Sequence, residues 1–144
     1  MQLNKLVYIA HGWVLACLNR PLFDEPVEAW QHGPVVPSLY HEFKHFGAKP
    51  ITEMSAMYVP DENRFITPRV KESYTQLVGL LDIVWQIYGR LSGGQLRSLT
   101  HTAGSPWAQS YSPGMRNVTI SNDIIKPHYV DLINRLVVNA QSAR

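Results

Sequence analysis

The sequence has little of three features that would narrow its function directly: cysteine, an excess of one charge, and long apolar runs. Its single cysteine, Cys17, excludes an internal disulfide, and the apolar helical stretch around it predicts a buried thiol without a catalytic role. Thirteen Lys and Arg against eleven Asp and Glu give a formal charge of +2, and these charges are scattered. A duplex-binding protein concentrates its basic residues, so we expect no nucleic-acid partner and disfavour a transcriptional regulator.

The absence of long apolar runs indicates in which cellular compartment the protein is expected. No apolar run in the sequence has the length of a membrane-spanning helix, and the amino terminus lacks the basic, apolar and small-residue order of a secretion signal. We therefore expect a cytoplasmic protein with no membrane partner. A chain of 144 residues with 45% hydrophobic residues is long enough for one core and too short for two, so residues 1–144 are predicted to form a single domain.

The spacing of apolar residues predicts a mainly α, compact fold of about six helices with a small β-hairpin. A helix from Leu3 to Leu18 is apolar on nearly every face, which is typical of a helix at the centre of a domain. The hairpin is predicted at Ala56–Thr67, around a turn at Pro60–Asn63. Asn19-Arg20-Pro21 ends the first helix, and Leu22 to Trp30 is expected to be extended chain or a short edge strand carrying Pro26.

Start and stop signals place the other helices. Ser38 is predicted to cap a short helix that ends at Gly47. The clearest amphipathic pattern runs from Val70 to Tyr88, with Trp85 also assigned to the core face. Later signals are a capping box at Ser92–Gln95, a helix start at Ser105-Pro106, and a last helix with Tyr129, Val130 and Ile133 on one face, in which Pro127 should cause a restart or a kink.

Residues 41–45 read HEFKH and match the H-E-x-x-H pattern of zinc hydrolases. Two histidines four apart on a helix, His41 and His45, can bind one zinc ion, and Glu42 between them can act as general base. A zinc-dependent hydrolase is therefore the alternative function.

Helix geometry argues against this zinc site. Advancing about 100° per residue places Phe43 and Phe46 beside Leu39, and it turns both histidines away from that apolar group toward solvent. The sequence also marks no third protein ligand, which a catalytic zinc site needs. We expect no metal to bind here.

A second catalytic possibility is a Ser105–His101 pair. The sequence has no Gly-x-Ser-x-Gly motif, and Ser105 before Pro106 is explained as a helix cap. Gly93-Gly94 lacks the following Gly-Lys-Ser/Thr of a phosphate-binding loop. The sequence therefore predicts neither catalytic residues nor a cofactor.

A series of short segments comes in an order that is characteristic of one family. The segments are Lys5–Trp13, Arg20–Phe23, Glu28–Val36, Leu39-Tyr40, Phe43-Lys44, Phe46-Gly47, Leu91–Gly93, Leu96, Leu99–His101 and Gly104–Trp107. Together they resemble the Panacea domain, the SocA-like family of phage-associated antitoxins. The resemblance runs from about Leu3 to Trp107 and resumes weakly in the last helix.

The resemblance implies a mainly α-helical, non-enzymatic antitoxin that neutralises a toxin protein encoded by an adjacent gene. One branch of the family delivers its toxin to an ATP-dependent protease, so an AAA+ protease is a second expected partner. Members usually carry a further helix before the Lys5 segment. Either this chain is a shorter variant or its true start lies upstream of Met1, and a central helix without that neighbour favours a homodimer or a partner that covers it.

Within these segments, the candidates for contacts with a partner are aromatic, histidine, glycine and proline residues: Trp30, His32, Gly33, Pro34, His101 and Trp107. Trp107 is the best candidate for an exposed aromatic anchor. A tight turn is the simpler explanation for Gly33 and Pro34, and capping of its helix is the simpler one for His101. Tyr8 is expected in the core, and Lys5 in a buried ion pair with a carboxylate.

Overall fold

A computed structural model describes residues 1–144 and confirms the mainly α fold with a small hairpin. It contains six α-helices and two antiparallel strand pairs. The helices are α1 (Gln2–Leu18), α2 (Pro37–Phe43), α3 (Thr75–Tyr88), α4 (Gly93–Thr100), α5 (Pro106–Ser110) and α6 (Asn122–Ser142). The strand pairs are β1 (Glu28–Trp30) with β2 (Gly33–Val35), and β3 (Met57–Val59) with β4 (Arg64–Ile66).

Helix α1 lies at the centre of the fold, as its apolar faces predict. It packs against α3, α4, α6 and β2, and every residue from Tyr8 to Leu15 is buried. Gly12 brings α1 and α6 close together, because a Cβ at this position would lie 2.2 Å from Cδ2 of Tyr129. The helix ends at Asn19, which adopts a left-handed conformation (φ 53°).

The core extends from α1 to α3, α4 and α6. Val84, Leu96 and Ile125 are buried there, together with Tyr8 and Trp13 of α1. Burying a large apolar side chain stabilises a fold by about 1.5–3 kcal/mol, so this shared core is what holds the short helices in place. The expected burial of Tyr8 is confirmed.

The pair β1–β2 is a second hairpin that we did not predict from the sequence. Trp30 pairs with Gly33 across a two-residue turn formed by Gln31 and His32. Gly33 and Pro34 therefore lie in β2, and their assignment to the turn itself is wrong. The other edge of β1 bonds to a segment before α6, since the Ala29 amide donates to the Val118 carbonyl at 2.8 Å.

Several helix boundaries follow the sequence signals. Ser92 and Gln95 form both bonds of the predicted capping box, and the Ser105 side chain caps α5. At α2 the prediction is wrong, because Val36 is the cap residue and the Ser38 side chain makes no capping bond. A 3-10 turn at Lys44–Phe46 then leads to Gly47, the predicted end.

Helix α3 is shorter than its apolar pattern. It begins at Thr75, and the preceding Val70 and Tyr74 are exposed rather than buried. The buried side of α3 consists of Leu80, Val84 and Tyr88, so Trp85, which lies about 100° around the helix from Val84, is 63% exposed. The assignment of Trp85 to the core is wrong.

Two further corrections concern helix ends. Pro127 is the sixth residue of α6, and the helix continues through it, so the predicted restart at this position is wrong. The proline lacks a backbone N–H and therefore costs the first turns of α6 one hydrogen bond. Cys17 lies in the last turn of α1 and is exposed, which contradicts its predicted burial. None of the helices combines the length and apolar character needed to span a membrane.

Candidate partner-binding site

The six candidate partner residues come together at the β1–β2 hairpin. Trp30, His32, Gly33 and Pro34 belong to the hairpin, and His101 and Trp107 pack against it from α4 and α5. The Trp107 indole N–H donates to the Trp30 carbonyl at 2.7 Å, and its ring centroid lies 3.8 Å from that of His101. We call these residues the hairpin cluster: Trp30, His32, Gly33, Pro34, His101 and Trp107.

Two side chains at the start of helix α1 hold the hairpin in place through hydrogen bonds. The Lys5 ammonium donates to the Pro34 carbonyl at 2.9 Å, and the Asn4 side-chain oxygen accepts from the Val36 amide at 3.0 Å. Gly33 has a φ of +110°, and a Cβ there would lie 2.6 Å from Cε of Lys5. The glycine is therefore required both by its backbone conformation and by the close approach of Lys5.

Lys5 is buried without the carboxylate partner that we expected. It is 1% exposed, and the ion pair in this structure joins Arg64 to Glu62 on the surface. Burial, and to a smaller extent the positive charge of Arg97, lower the pKa of Lys5 to about 8. A single carbonyl acceptor is thus the only partner of a buried ammonium that has three N–H groups.

His101 has the capping role that the sequence favoured. It is the residue that ends α4, and its Nδ1 lies 2.8 Å from the Arg97 carbonyl, which requires the proton on Nδ1. Burial lowers the pKa of His101, so the neutral ring is favoured. The His101 and Trp107 rings, whose planes are tilted by 42° to each other, support the hairpin from the side of α4 and α5.

Only part of the hairpin cluster is accessible to a partner. His32 is exposed in the turn and Trp30 is half-buried, with its indole N–H bonded to the Glu28 carboxylate at 2.8 Å. Gly33 and Pro34 are buried, so they shape the hairpin and offer no contact surface of their own. Trp107 is half-buried and is not the freely exposed anchor that we expected.

A groove of about 450 Å³ lies beside the hairpin cluster, between the start of α1, the hairpin and α2. Its apolar lining includes side chains that the sequence analysis did not single out for binding, among them Tyr40 and Ile51. Tyr40 contacts Trp30 edge to face at a ring-centroid distance of 4.9 Å. The resemblance contained Tyr40, but nothing in the local sequence indicates that it meets Trp30.

The HEFKH stretch has the orientation that the helix geometry predicted. His41 and His45 are exposed, whereas Phe43 and Phe46 are half-buried. Helix α2 ends at Phe43, so the two histidines do not share one continuous α-helix. No group of three or more His, Cys, Asp or Glu residues is placed to bind a metal ion, and nothing in the structure supports the zinc hydrolase alternative.

The Ser105 hydroxyl is fully engaged in local structure. It donates to the Thr100 carbonyl at 3.0 Å and accepts from the Ala108 amide at 3.2 Å, and the residue is 1% exposed. The Nδ1 proton of His101 is bonded to the Arg97 carbonyl. The pair therefore connects α4 to α5 and does not have the arrangement of a nucleophile and its base.

The segments that form this site are also those that match known proteins. The family described as Antitoxin SocA-like, Panacea domain, matches residues 3–108. Antitoxin SocA of Caulobacter vibrioides (strain NA1000 / CB15N) is 31% identical over 114 residues, which cover 74% of this chain and 56% of that protein. This chain thus spans little more than half the length of the curated relative, and no solved structure matches it. The chain belongs to the antitoxin SocA-like, Panacea domain family.

Proposed function

We propose that this protein is an antitoxin that binds a toxin protein directly, neutralises it and catalyses no reaction. The observation that carries the proposal is the family match over residues 3–108, a range that includes the entire hairpin cluster. Neutralisation by this chain is part of the proposal, since the curated relative is considerably longer.

The mechanism that the surface supports best is occlusion of the toxin's active site. Trp30 and Tyr40 form an aromatic pair at the edge of the groove, and His32 projects beside them in the turn. Aromatic side chains in and around a groove are typical anchors of protein interfaces. A standard interface buries roughly 800 Å² on each partner.

Co-expression tests the proposal. Each neighbouring open reading frame is expressed alone and together with this chain, and growth is measured. We expect one neighbour to be toxic alone and harmless in the presence of the chain. If no neighbour is toxic, or if none is rescued, the proposal is wrong.

A matched pair of substitutions locates the interface when the affinity of the purified complex is measured. Tyr40 and Tyr74 are 39% and 52% exposed, but only Tyr40 lines the groove. We expect Tyr40→Ala to weaken the complex by about 2 kcal/mol, roughly 30-fold, and Tyr74→Ala to leave it unchanged. Equal effects of the two substitutions would move the interface away from the groove.

The lifetime of the toxin separates occlusion from delivery to a protease. Occlusion leaves the half-life of the toxin unchanged when this chain is present. Delivery to an AAA+ protease shortens it, and the shortening disappears in a strain without that protease. Pulse-chase labelling of the toxin in the rescued cells therefore decides between the two mechanisms.

A further inference from the structure

We infer that the groove beside the hairpin cluster binds an acidic and apolar segment of the toxin, in which a carboxylate lies next to an aromatic or aliphatic side chain. The inference rests on the proposed antitoxin function and specifies the chemistry of the partner. Three properties of the groove carry it: its apolar lining, the sign of its charges, and a buried cation without an anion.

The lining of the groove is largely apolar, and part of it is accessible. Tyr40 is 39% exposed and Ile51 is 41% exposed at its rim. The remaining apolar lining comes from four different elements and includes Leu3, Trp30, Val35 and Phe43. A volume of about 450 Å³ accommodates one or two large side chains of a peptide.

All charged side chains that line the groove are cationic. Lys5 lies in its wall, Lys44 lies at its exposed edge, and no Asp or Glu contributes to the lining. The carboxylate of Glu28, at the start of β1, is bonded to the Trp30 indole. Arg97 adds positive charge next to Lys5. The groove is therefore complementary to a negative charge.

The Lys5 ammonium gives the strongest reason to expect a carboxylate. Removing a cation from water is costly unless an anion or several acceptors replace the lost hydration. Lys5 is 1% exposed and has one acceptor within the protein, the Pro34 carbonyl, so the fold gives this cation no anion. A carboxylate entering the groove would compensate this cost, which makes Lys5 a source of specificity for acidic partners.

The apolar lining decides between classes of partner. A nucleic-acid backbone presents phosphates spaced along a polar chain, and it is bound by a basic surface rather than by an apolar groove with two lysines. A peptide offers a carboxylate and an apolar side chain within one residue of each other. The groove matches this combination.

The experiment uses two designed peptides and the full chain. The peptides, both blocked at their ends, are Gly-Ser-Asp-Trp-Leu-Ser-Gly and the same sequence with Asn in place of Asp. Their binding to the isotope-labelled chain is followed by NMR chemical shifts. We expect the Asp peptide to shift the amides of Trp30, Tyr40 and Lys44 and to bind at least about fivefold more tightly than the Asn peptide.

Substitutions of Lys5 and Lys44 test whether these two residues cause the preference for the Asp peptide. Lys5→Met and Lys44→Met keep the side-chain length and remove the charge, and the double variant should bind both peptides equally. Lys71→Met removes an exposed lysine outside the groove and should retain the preference. The NMR spectrum of each variant shows directly whether it is folded.

The outcomes separate this inference from the proposed function. Equal affinities in the wild type, a preference that persists in the folded double variant, or no shift at groove residues would each overturn the inference, even if co-expression rescues growth. A fivefold preference that depends on Lys5 and Lys44 would support it, even if no neighbouring gene proves toxic. In that last case the antitoxin proposal alone would fail.

Discussion

At the scale of single residues, Lys5 is the most informative position in the chain. The sequence predicted its burial, because it lies in a helix that is apolar on nearly every face. Its partner could not be predicted, because the Pro34 carbonyl is 29 residues away and depends on a hairpin that the sequence did not reveal. The expected carboxylate is absent from the fold, and the free chain therefore contains a buried charge at a cost in stability.

This cost predicts how stability depends on pH. Lys5 titrates at about 8 in the folded chain against 10.5 as its ordinary value. The unfolded state therefore binds more protons between these values, so the free energy of unfolding rises with pH in this interval. We expect a rise of about 2 kcal/mol between pH 7 and pH 9.5 from this residue, measured by urea unfolding.

The Lys5→Met variant is the control for this prediction. Met1 and Cys17 also have shifted pKa values, so the informative quantity is the difference between the wild type and the variant. Above pH 10, Tyr8 and Tyr129 act in the opposite direction, because burial raises their pKa and their ionisation favours the unfolded chain. Equal slopes in the wild type and in Lys5→Met between pH 7 and pH 9.5 would contradict the burial of a charged ammonium.

His11 predicts how the stability of the protein changes at acidic pH. Its Nδ1 accepts from the Leu22 amide at 3.3 Å, so its Nε2 carries the proton and donates to the Asn122 side-chain oxygen at 2.9 Å. Burial lowers the pKa of His11, and protonation would remove the acceptor for Leu22. The unfolded chain binds the proton first on acidification, so stability falls as pH decreases from 7 to 5.

The His11→Asn substitution isolates this contribution. The Asn oxygen can replace Nδ1 as acceptor for the Leu22 amide, but it does not titrate. We expect the variant to be less stable at pH 7, because it loses the stacking on Phe23 at 4.3 Å, and to lose less stability on acidification than the wild type. Thermal unfolding at pH 5 and pH 7 provides the comparison, and an equal loss in both proteins would contradict the account.

At the scale of secondary-structure elements, the sequence predicted those features that depend only on neighbouring residues. The capping box at Ser92 and the cap at Ser105 depend on residues three positions away, and both are confirmed. The start of α3 and the continuity of α6 through Pro127 depend on more than the neighbouring residues, and the predicted start at Val70 and the predicted restart at Pro127 were wrong. The β1–β2 hairpin was missed because Lys5, Asn4 and Trp107 hold it in place through long-range bonds.

The contact between α1 and α6 predicts opposite effects for two glycine substitutions. Alanine is favoured over glycine inside a helix by roughly 0.5–1 kcal/mol. At Gly79 a Cβ meets nothing within 4 Å, so Gly79→Ala should stabilise the protein by about that amount. At Gly12 the Cβ would overlap the Tyr129 ring at 2.2 Å, so Gly12→Ala should destabilise it by about 1–3 kcal/mol or more.

Denaturant unfolding of both glycine variants tests the packing of α1. The two substitutions are chemically identical and both lie within helices, so propensity alone predicts the same sign for both. A stabilising Gly12→Ala would show that α6 does not pack on α1 at this point. The same measurement on a Gly12→Ala/Tyr129→Ala double variant should show coupling between the two positions.

At the scale of the whole molecule, the candidate site is assembled from distant parts of the chain. The resemblance provided its residues, but their arrangement around one hairpin required the fold, because Trp30 and Trp107 are 77 residues apart. The groove, with its two lysines and its exposed Tyr40, could not be predicted from spacing at all. The expected roles of Gly33 and Pro34 in a partner contact become structural roles, since both are buried.

The central claim is that this chain binds a toxin through the hairpin and the groove. Hydrogen–deuterium exchange of the chain, alone and after co-purification with the product of its toxic neighbour, tests it most directly. We predict a stoichiometric complex in which exchange slows at residues 28–47, with little change at residues 57–66 of the β3–β4 hairpin. Failure to isolate a complex, or slowed exchange confined to residues 57–66, would contradict the claim.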